Sequence, residues 1–412
     1  MVTPTEEEIM VYPVLFVGID VSKLKHDVAI VNEHKKLVSR PFVISEDRAG
    51  YEQLVRTLEH FGRQYQTITF VIGLEATSEY WKNLYHFLVQ HSAAFVVTAL
   101  NPIQTRKYAE AGLRRAKTDP IDAQDIACFM VEKGPKPSFV RLPVFEVIKD
   151  LDRQIYSFKK QQTMTTNKLR LELTKVAPEI ERGVRSLKSQ QVLALLERYP
   201  TAAAMAQTSD EELRQIRYGQ QQWRLPARFL DKMKSLAEDS IACKTGPYAG
   251  MIVQALTKRL VADQQTLAAM HAQITELYKS VKKHHSLLTT IIGISKETAI
   301  VLEAYIGEVQ RFSNAKKIVA YFGMNPTVNK SGKPKKRASY LQKKGSGIVR
   351  HKLFMITLNL IRHKIEPFYS YYQRLVTAGK PKLVALAATM RKLLVNCYTI
   401  LKTQEPFAPK KI

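Results

Sequence analysis

Lys117-Thr118-Asp119-Pro120-Ile121-Asp122-Ala123-Gln124-Asp125 carries the signals of a helix start. Thr118 or Asp119 suits the N-cap, and Pro120 sits at or beside the first helical position, where a missing N–H costs nothing. Ile126-Ala127-Cys128-Phe129-Met130 continues the helix. Asp119 and Asp122 are three apart, so both carboxylates fall on one side of the first turn. Taken alone they have a plain structural use: Asp119 caps, while Asp122 and Asp125 suit the positive end of the helix dipole. Acids upstream give the stretch a second meaning.

Val14 to Val21 is an apolar run of strand length that closes on Asp20. His26–Val31 and Leu37–Ile44 are two more strand-like runs, set off by short polar turns, and together the three suggest an antiparallel meander. Glu46 to Phe61 has helical spacing at Tyr51, Leu54, Val55, Leu58 and Phe61. Thr67–Glu75 reads as a fourth strand, Glu79–Gln90 as a helix and Ala94–Ala99 as a fifth strand, followed by the Asp119 helix. This order predicts a mixed sheet covered by helices.

An acid at a strand end is ordinarily a solvated turn residue. Asp20 and Glu75, however, each follow a strongly apolar strand and lie near a glycine, Gly18 or Gly73. If those strands are parallel neighbours, both acids emerge at one sheet edge, where open α/β sheets place their sites. The helix bearing Asp119 and Asp122 can pack across that edge. Four converging carboxylates repel one another unless cations neutralise them. Hard oxygen donors without His or Cys point to Mg²⁺ or Mn²⁺, and paired ions of this kind serve phosphodiester chemistry.

Composition agrees. The 412 residues include 63 Lys and Arg against 37 Asp and Glu, a formal charge of +26, which favours a polyanionic partner. With 45% apolar residues the chain is folded rather than a basic tail. Cys128, Cys243 and Cys397 are widely spaced, which argues against a disulfide framework or a zinc site and fits a reducing cytosol. Glu6-Glu7-Glu8 near the start breaks any secretory-signal pattern, and no run approaches the roughly 18 apolar residues that span a bilayer. The expected location is the cytoplasm, with no membrane partner.

Gly18-Ile19-Asp20-Val21-Ser22-Lys23, Gly73-Leu74-Glu75-Ala76-Thr77 and Lys117–Ala123 resemble, in order and spacing, the acidic motifs of the DEDD insertion-sequence transposases. These are the bridge-RNA-guided recombinases of insertion-sequence type one hundred and ten. The resemblance implies an RNase H-like (RuvC-like) domain over residues 1–140. It also implies that Asp20, Glu75, Asp119 and Asp122 are catalytic and hold Mg²⁺ (or Mn²⁺).

Beyond Gly134-Pro135-Lys136-Pro137-Ser138 the texture changes. Ile148, Leu151, Ile155, Phe158, Thr165, Leu169 and Val176 follow an alternating four-and-three spacing broken by Gln162. Leu256, Leu260, Leu267, Met270, Ile274, Leu277 and Val281 repeat it, broken by Asp263. The spacing predicts a helical hairpin or a coiled coil between subunits over residues 141–286, an ordinary bundle core being the alternative. The segment reads as a dimerisation or spacer arm without catalytic pattern.

Residues 287–412 form the third expected domain, mainly helical. Thr290–Ser295 leads into a helix, either as a glycine turn that grips a phosphate, as in helix-hairpin-helix elements, or as a plain helix start. No acid occurs from Gln310 to Ile365. Lys330, Lys333, Lys335, Lys336, Arg337, Lys343, Lys344, Arg350 and Lys352 in that span are the candidate nucleic-acid contacts. Tyr321, Phe322 and Tyr340 suit either base stacking or core packing. Ser331, between Lys330 and Gly332-Lys333, suits an ordinary phosphate contact or a nucleophile steadied by cations. The resemblance continues here through Thr290–Ser295, Arg311-Phe312, Tyr321–Pro326, Ser331-Gly332 and Lys344-Gly345-Ser346 to Arg350, and it makes Ser331 the nucleophile. The chain has Ile292-Gly293-Ile294-Ser295 where the family pattern has Pro-Gly-Ile-Gly, Lys330 where Gln is usual, and Ser346 where Asn is usual. Ser339 and Ser346 therefore stay as alternative nucleophiles.

The resemblance further implies donor and target DNA and a structured non-coding (bridge) RNA as partners. It implies a homo-oligomer, a dimer of dimers, whose composite sites join the first domain of one subunit to the last domain of another. Two other readings remain: a RuvC-like endonuclease that cuts DNA junctions with metal-bound water, and a non-catalytic nucleic-acid-binding protein whose acids are structural.

Overall fold

The computed structural model describes residues 14–67, 69–76, 79–111, 119–134, 143–246, 248–282, 284–326, 341 and 345–408, with the backbone alone at Ala111, Asp119 and Pro143. Two compact units divide the chain, Met1–Val140 and Arg141–Ile412.

In the first unit the strands are β1 (Val14–Val21), β2 (Lys25–Val31), β3 (Phe42–Ser45), β4 (Thr69–Glu75) and β5 (Phe95–Leu100). The helices are α1 (Arg48–Gln64), α2 (Trp81–His91), α3 (Pro102–Ala111) and α4 (Asp119–Lys133). One five-stranded mixed sheet has the order β3-β2-β1-β4-β5. The meander β1-β2-β3 is antiparallel, whereas β1–β4 and β4–β5 are parallel. β3 begins later than the apolar run suggests: Leu37 makes only an isolated bridge to Val31. Pro41, which cannot donate to a ladder, separates that bridge from the strand proper. Helix α3 was absent from the sequence expectation. It starts where Asn101 accepts the Ile103 N–H at 2.9 Å and Pro102 opens the first turn.

Strand alternation sorts the residues onto two faces. Leu15, Val17, Ile19, Val28, Ile30, Phe70, Ile72 and Leu74 pack with Leu54 and Leu58 of α1 and Leu84 and Leu88 of α2. The opposite face takes α4, whose Ala123, Ile126, Ala127 and Met130 are buried.

The second unit is helical. Its long helix α5 (Pro143–Val176) is followed by α6 (Pro178–Gly183), α7 (Gln190–Arg198), α8 (Ala202–Ala206), α9 (Asp210–Arg214) and α10 (Ala227–Glu238). Between α9 and α10 lies a two-stranded hairpin, β6 (Arg217–Tyr218) and β7 (Trp223–Arg224). The second long helix, α11 (Met251–Val281), pairs with α5. Phe145, Ile148 and Ile155 share a core with Leu267, Ile274 and Tyr278. Leu169, Leu173 and Val176 share another with Val253 and Leu260. The two helices are therefore antiparallel within one chain, and the heptads form an intramolecular hairpin. The heptad breaks Gln162 and Asp263 are both buried, at 8% and 9% exposure, and the two cores part there.

The unit closes with α12 (Lys296–Ile306), α13 (Ala315–Tyr321), α14 (Gly347–Arg362), α15 (Phe368–Thr377) and α16 (Lys382–Thr403). Residues 141–286 and 287–412, expected as separate domains, lie in one unit, because the base of the α5–α11 hairpin shares its core with α12, α14 and α16. Among the described helices α16 alone is long and apolar enough to cross a bilayer, but Met390, Leu393, Leu394 and Cys397 lie in that core. It is a core helix. Burial raises the Cys397 thiol to about 12, which leaves it inert as a nucleophile at neutral pH.

Candidate active site

The parallel register of β1 and β4 sets Gly18 beside Gly73 and Ile19 beside Leu74, so the next residues, Asp20 and Glu75, emerge side by side at the carboxyl ends of their strands. Both are partly buried. Since Leu15, Val17 and Ile19 face α1 and α2, alternation turns Asp20 to the α4 side, and Glu75 follows from Phe70, Ile72 and Leu74.

The glycines bring α4 onto that side. A Cβ on Gly18 would fall 2.1 Å from the Ala123 carbonyl oxygen and 2.4 Å from the Ala127 amide nitrogen. A Cβ on Gly73 would lie 2.8 Å from Met130 Cγ. Farther along α4, Ala127, Cys128 and Val131 pack near Phe16, earlier on β1. The helix thus runs against the direction of β1, and its first turn, with Asp119 and Asp122, points to the strand ends that carry Asp20 and Glu75. Asp122 is partly buried, while the Asp119 side chain lies outside the described residues.

Two further side chains belong to this neighbourhood. Asp27 on β2, 5% exposed, is directly opposite Asp20 in the antiparallel pair and so shares its face. Thr105 on α3, 5% exposed, donates its hydroxyl to Glu75 Oε2 at 2.8 Å and fixes that carboxylate. The donors are hard carboxylate oxygens with a hydroxyl behind them, a set that fits Mg²⁺ or Mn²⁺. Among the described residues no three His, Cys, Asp or Glu side chains already stand in a metal-coordinating group.

On the other face of the sheet, His26 is fully buried at the start of β2. Its Nδ1 accepts the Ser22 N–H at 3.4 Å, so Nε2 carries the proton that bonds Glu46. Tyr51 O–H and Asn83 Nδ2 also donate to Glu46, the latter at 3.1 Å. Burial works to raise the Glu46 pKa, but the bonds from Tyr51, Asn83 and His26 hold it below the ordinary value. The network anchors the β1–β2 turn that follows Asp20.

In the second unit, Ser331, Ser339, Lys330, Lys333, Lys335, Lys336, Arg337, Tyr340, Lys343 and Lys344 lie outside the described residues. The flanks of that stretch are described. Pro326 and Leu341 form an antiparallel bridge, and Arg350 Nη1 donates to the carbonyls of Phe322 at 3.2 Å and Gly345 at 3.0 Å. Arg350 therefore ties the two sides of the stretch together. Lys352 Nζ lies 2.7 Å from Asp152 Oδ1, a carboxylate on α5 that is almost fully buried. Ser346 caps α14, accepting the Val349 N–H at 3.4 Å. Ser295 caps α12, accepting the Thr298 N–H at 3.2 Å, which is the geometry of an ordinary helix start. Phe322 is fully buried, and Tyr321 packs against the Arg311 guanidinium, whose carbon is 4.5 Å from its ring centroid.

Residues 17–178 match a family described as transposase, of the DEDD IS110 type, and residues 285–373 match the transposase IS116/IS110/IS902 family. The two matches do not overlap and together span more than half of the chain. The chain is 23% identical over 392 residues to the pilin gene-inverting protein of Moraxella lacunata, covering 95% of this chain and 97% of that protein. The pilin gene-inverting protein of Moraxella bovis matches to the same extent. The insertion element IS110 uncharacterized 43.6 kDa protein of Streptomyces coelicolor is 24% identical over 402 residues, 94% of each chain. A sheet edge of acids, a basic helical unit and these relatives define a DNA transposase/recombinase. Within that class both matched segments are of the IS110 type of insertion-sequence transposases.

Proposed function

We propose that this transposase cuts and rejoins DNA strands through a serine nucleophile, Ser331, acting with Mg²⁺ (or Mn²⁺) held by Asp20, Glu75, Asp119 and Asp122. The observation that carries the reading is the meeting of Asp20, Glu75 and the first turn of α4 at one end of the sheet. A mixed sheet with three antiparallel strands, two further parallel strands and an acid at the end of the first strand supports an RNase H-like, RuvC-like first domain.

When bound, the metal supplies positive charge beside the scissile phosphate and the leaving oxygen. The carboxylates hold it, Thr105 keeps Glu75 oriented, and the close approach at Gly18 keeps the α4 acids in reach. The Ser331 hydroxyl gives up its proton and attacks phosphorus. A phosphoserine ester forms as the bond to one strand oxygen breaks, and that strand leaves as a free hydroxyl. Attack by another strand's hydroxyl reverses the step, so the phosphodiester is restored without ATP. Conservation of the bond suits rearrangements such as the gene inversion for which the Moraxella relatives are named. The site is composite, with the first domain of one subunit serving the last domain of another. A structured non-coding RNA selects donor and target DNA by base pairing, leaving the protein to read backbone and shape. The +26 charge supports both nucleic-acid partners.

The test is a denaturing gel of labelled donor DNA incubated with RNA, Mg²⁺ and wild-type protein or the Ser331→Ala, Ser339→Ala and Ser346→Ala variants. A covalent adduct in every lane except Ser331→Ala is expected. An adduct lost instead in Ser339→Ala or Ser346→Ala moves the nucleophile. Cleavage without adduct in any lane makes the protein a hydrolytic junction endonuclease.

A further inference from the structure

Helices α15 and α16 pack together, and their outer edge holds two cations against one ring. Lys392 Nζ of α16 lies 4.5 Å from the Tyr371 ring centroid, and Arg374 Cζ of α15 lies 5.3 Å from it. Both distances fall within cation–π range, so the ring offsets part of the cost of placing like charges together. It does not neutralise them. Among the described residues neither cation has a carboxylate partner. Glu366 is the single acid from Gly347 to Thr403, where Arg and Lys occupy ten positions, and its carboxylate accepts the Ser370 N–H at 3.2 Å. The strain of the arrangement registers at Lys392: burial, and then the Arg374 charge, lower its pKa from the ordinary lysine value. A partly buried ammonium and an exposed guanidinium held against one aromatic ring offer donors to a shared anion.

We propose that Arg374 and Lys392, held by Tyr371, clamp a backbone phosphate of bound nucleic acid, so that the α15–α16 edge is a binding surface made of residues that take no part in strand transfer. A nucleic acid is the occupant because the protein is a DNA transposase/recombinase with a large positive charge. The contact positions the strand and carries no sequence preference. The proposal depends only on nucleic-acid binding, and its test reads binding alone. Its failure leaves the Ser331 reading standing, and loss of the Ser331 reading leaves it intact.

The experiment titrates full-length protein with fluorescein-labelled, mixed-sequence duplex DNA across a salt series. Lys392→Gln and Arg374→Gln are each expected to lower the log–log salt slope by about 0.9 and to weaken binding about fivefold at physiological salt. Lys279→Gln, an exposed cation on α11, is expected to keep the wild-type slope. As a check that needs no variant, lysine acylation of the wild-type protein is mapped with and without the duplex, and Lys392 is expected to be protected by DNA. Wild-type slopes in both clamp variants, an equal fall in Lys279→Gln, or Lys392 labelled equally with and without DNA would overturn the proposal.

Discussion

Gly18 and Ala123 meet backbone to backbone: a Cβ on the glycine would stand 2.1 Å from the alanine carbonyl oxygen. No rotamer change relieves such a contact, since the obstructing atom belongs to the helix itself. Gly18→Ala should therefore push α4 off β1 and draw Asp119 and Asp122 away from Asp20 and Glu75. The expected cost is about 3 kcal/mol, the upper end for overpacking, read by urea unfolding. Strand transfer should fall further than stability requires, measured at a temperature where the variant is still folded. A Gly18→Ala variant with wild-type stability and activity would show that α4 is not held in this way.

The four acids are expected to fail in a different manner. Asp20→Asn, Glu75→Gln, Asp119→Asn and Asp122→Asn should each reduce strand transfer by at least about a thousandfold while keeping DNA binding, since they hold ions rather than phosphates. Glu79→Gln and Asp125→Asn are the controls: Glu79 pairs with Lys82, one turn along the chain. Full activity of Asp119→Asn and Asp122→Asn in Mg²⁺ would dismantle the cluster.

Thr105 offers a subtler perturbation. Its hydroxyl bonds Glu75 from behind, so Thr105→Val should leave the fold in place and let the carboxylate turn. Outer-shell partners of metal ligands typically affect affinity or activity by about 10- to 100-fold. The expected signature is a higher Mg²⁺ requirement, restored by Thr105→Ser. An unchanged Mg²⁺ titration would limit Thr105 to packing.

The elements that carry the candidate acids were readable in advance because strand alternation and apolar runs are local properties. The runs ending at Asp20 and Glu75 and the capped start at Asp119 announce their elements from a few neighbours each. Asp27 was not readable as a neighbour of Asp20, because that pairing depends on the register fixed by the Ser22–Leu24 turn. Thr105 lay hidden in a helix whose only local sign is Asn101-Pro102. Arg350 and Lys352 stand in an acid-free span and read as phosphate contacts. Among the described residues Arg350 also bonds backbone carbonyls and Lys352 pairs with Asp152, contacts that no local pattern reveals.

Glu46 gives the protein an acid-sensitive anchor. Its pKa is depressed in the folded state, so its contribution is complete above the ordinary value of 4.5 and is lost as pH falls through the lower folded value. Glu46→Gln should be about 1–3 kcal/mol less stable at neutral pH, because His26 and Tyr51 lose a charged acceptor. It should also lack this component of acid destabilisation, so the two stability curves should converge below pH 4.5. Parallel curves from neutral pH into the acid range would remove Glu46 from that role.

Lys352 separates structural from phosphate-binding use of the same charge. Asp152 is 1% exposed and, among the described residues, its Oδ2 has no hydrogen-bond partner, so the Lys352 ammonium at Oδ1 carries much of the compensation of a carboxylate buried on α5. Removing one member of a buried pair strands the other and typically costs about 3–5 kcal/mol. Lys352→Met should therefore destabilise the second unit by about that amount. Adding Asp152→Asn should recover much of the loss, since no charge is then left stranded. A lysine that served mainly to hold phosphate would behave oppositely: Lys352→Met would keep its stability, and the salt slope of DNA binding would fall by about 0.9. Urea unfolding and a salt titration on the same preparations distinguish the two. The 2.7 Å contact with Asp152 leads us to expect the stability loss with the slope preserved.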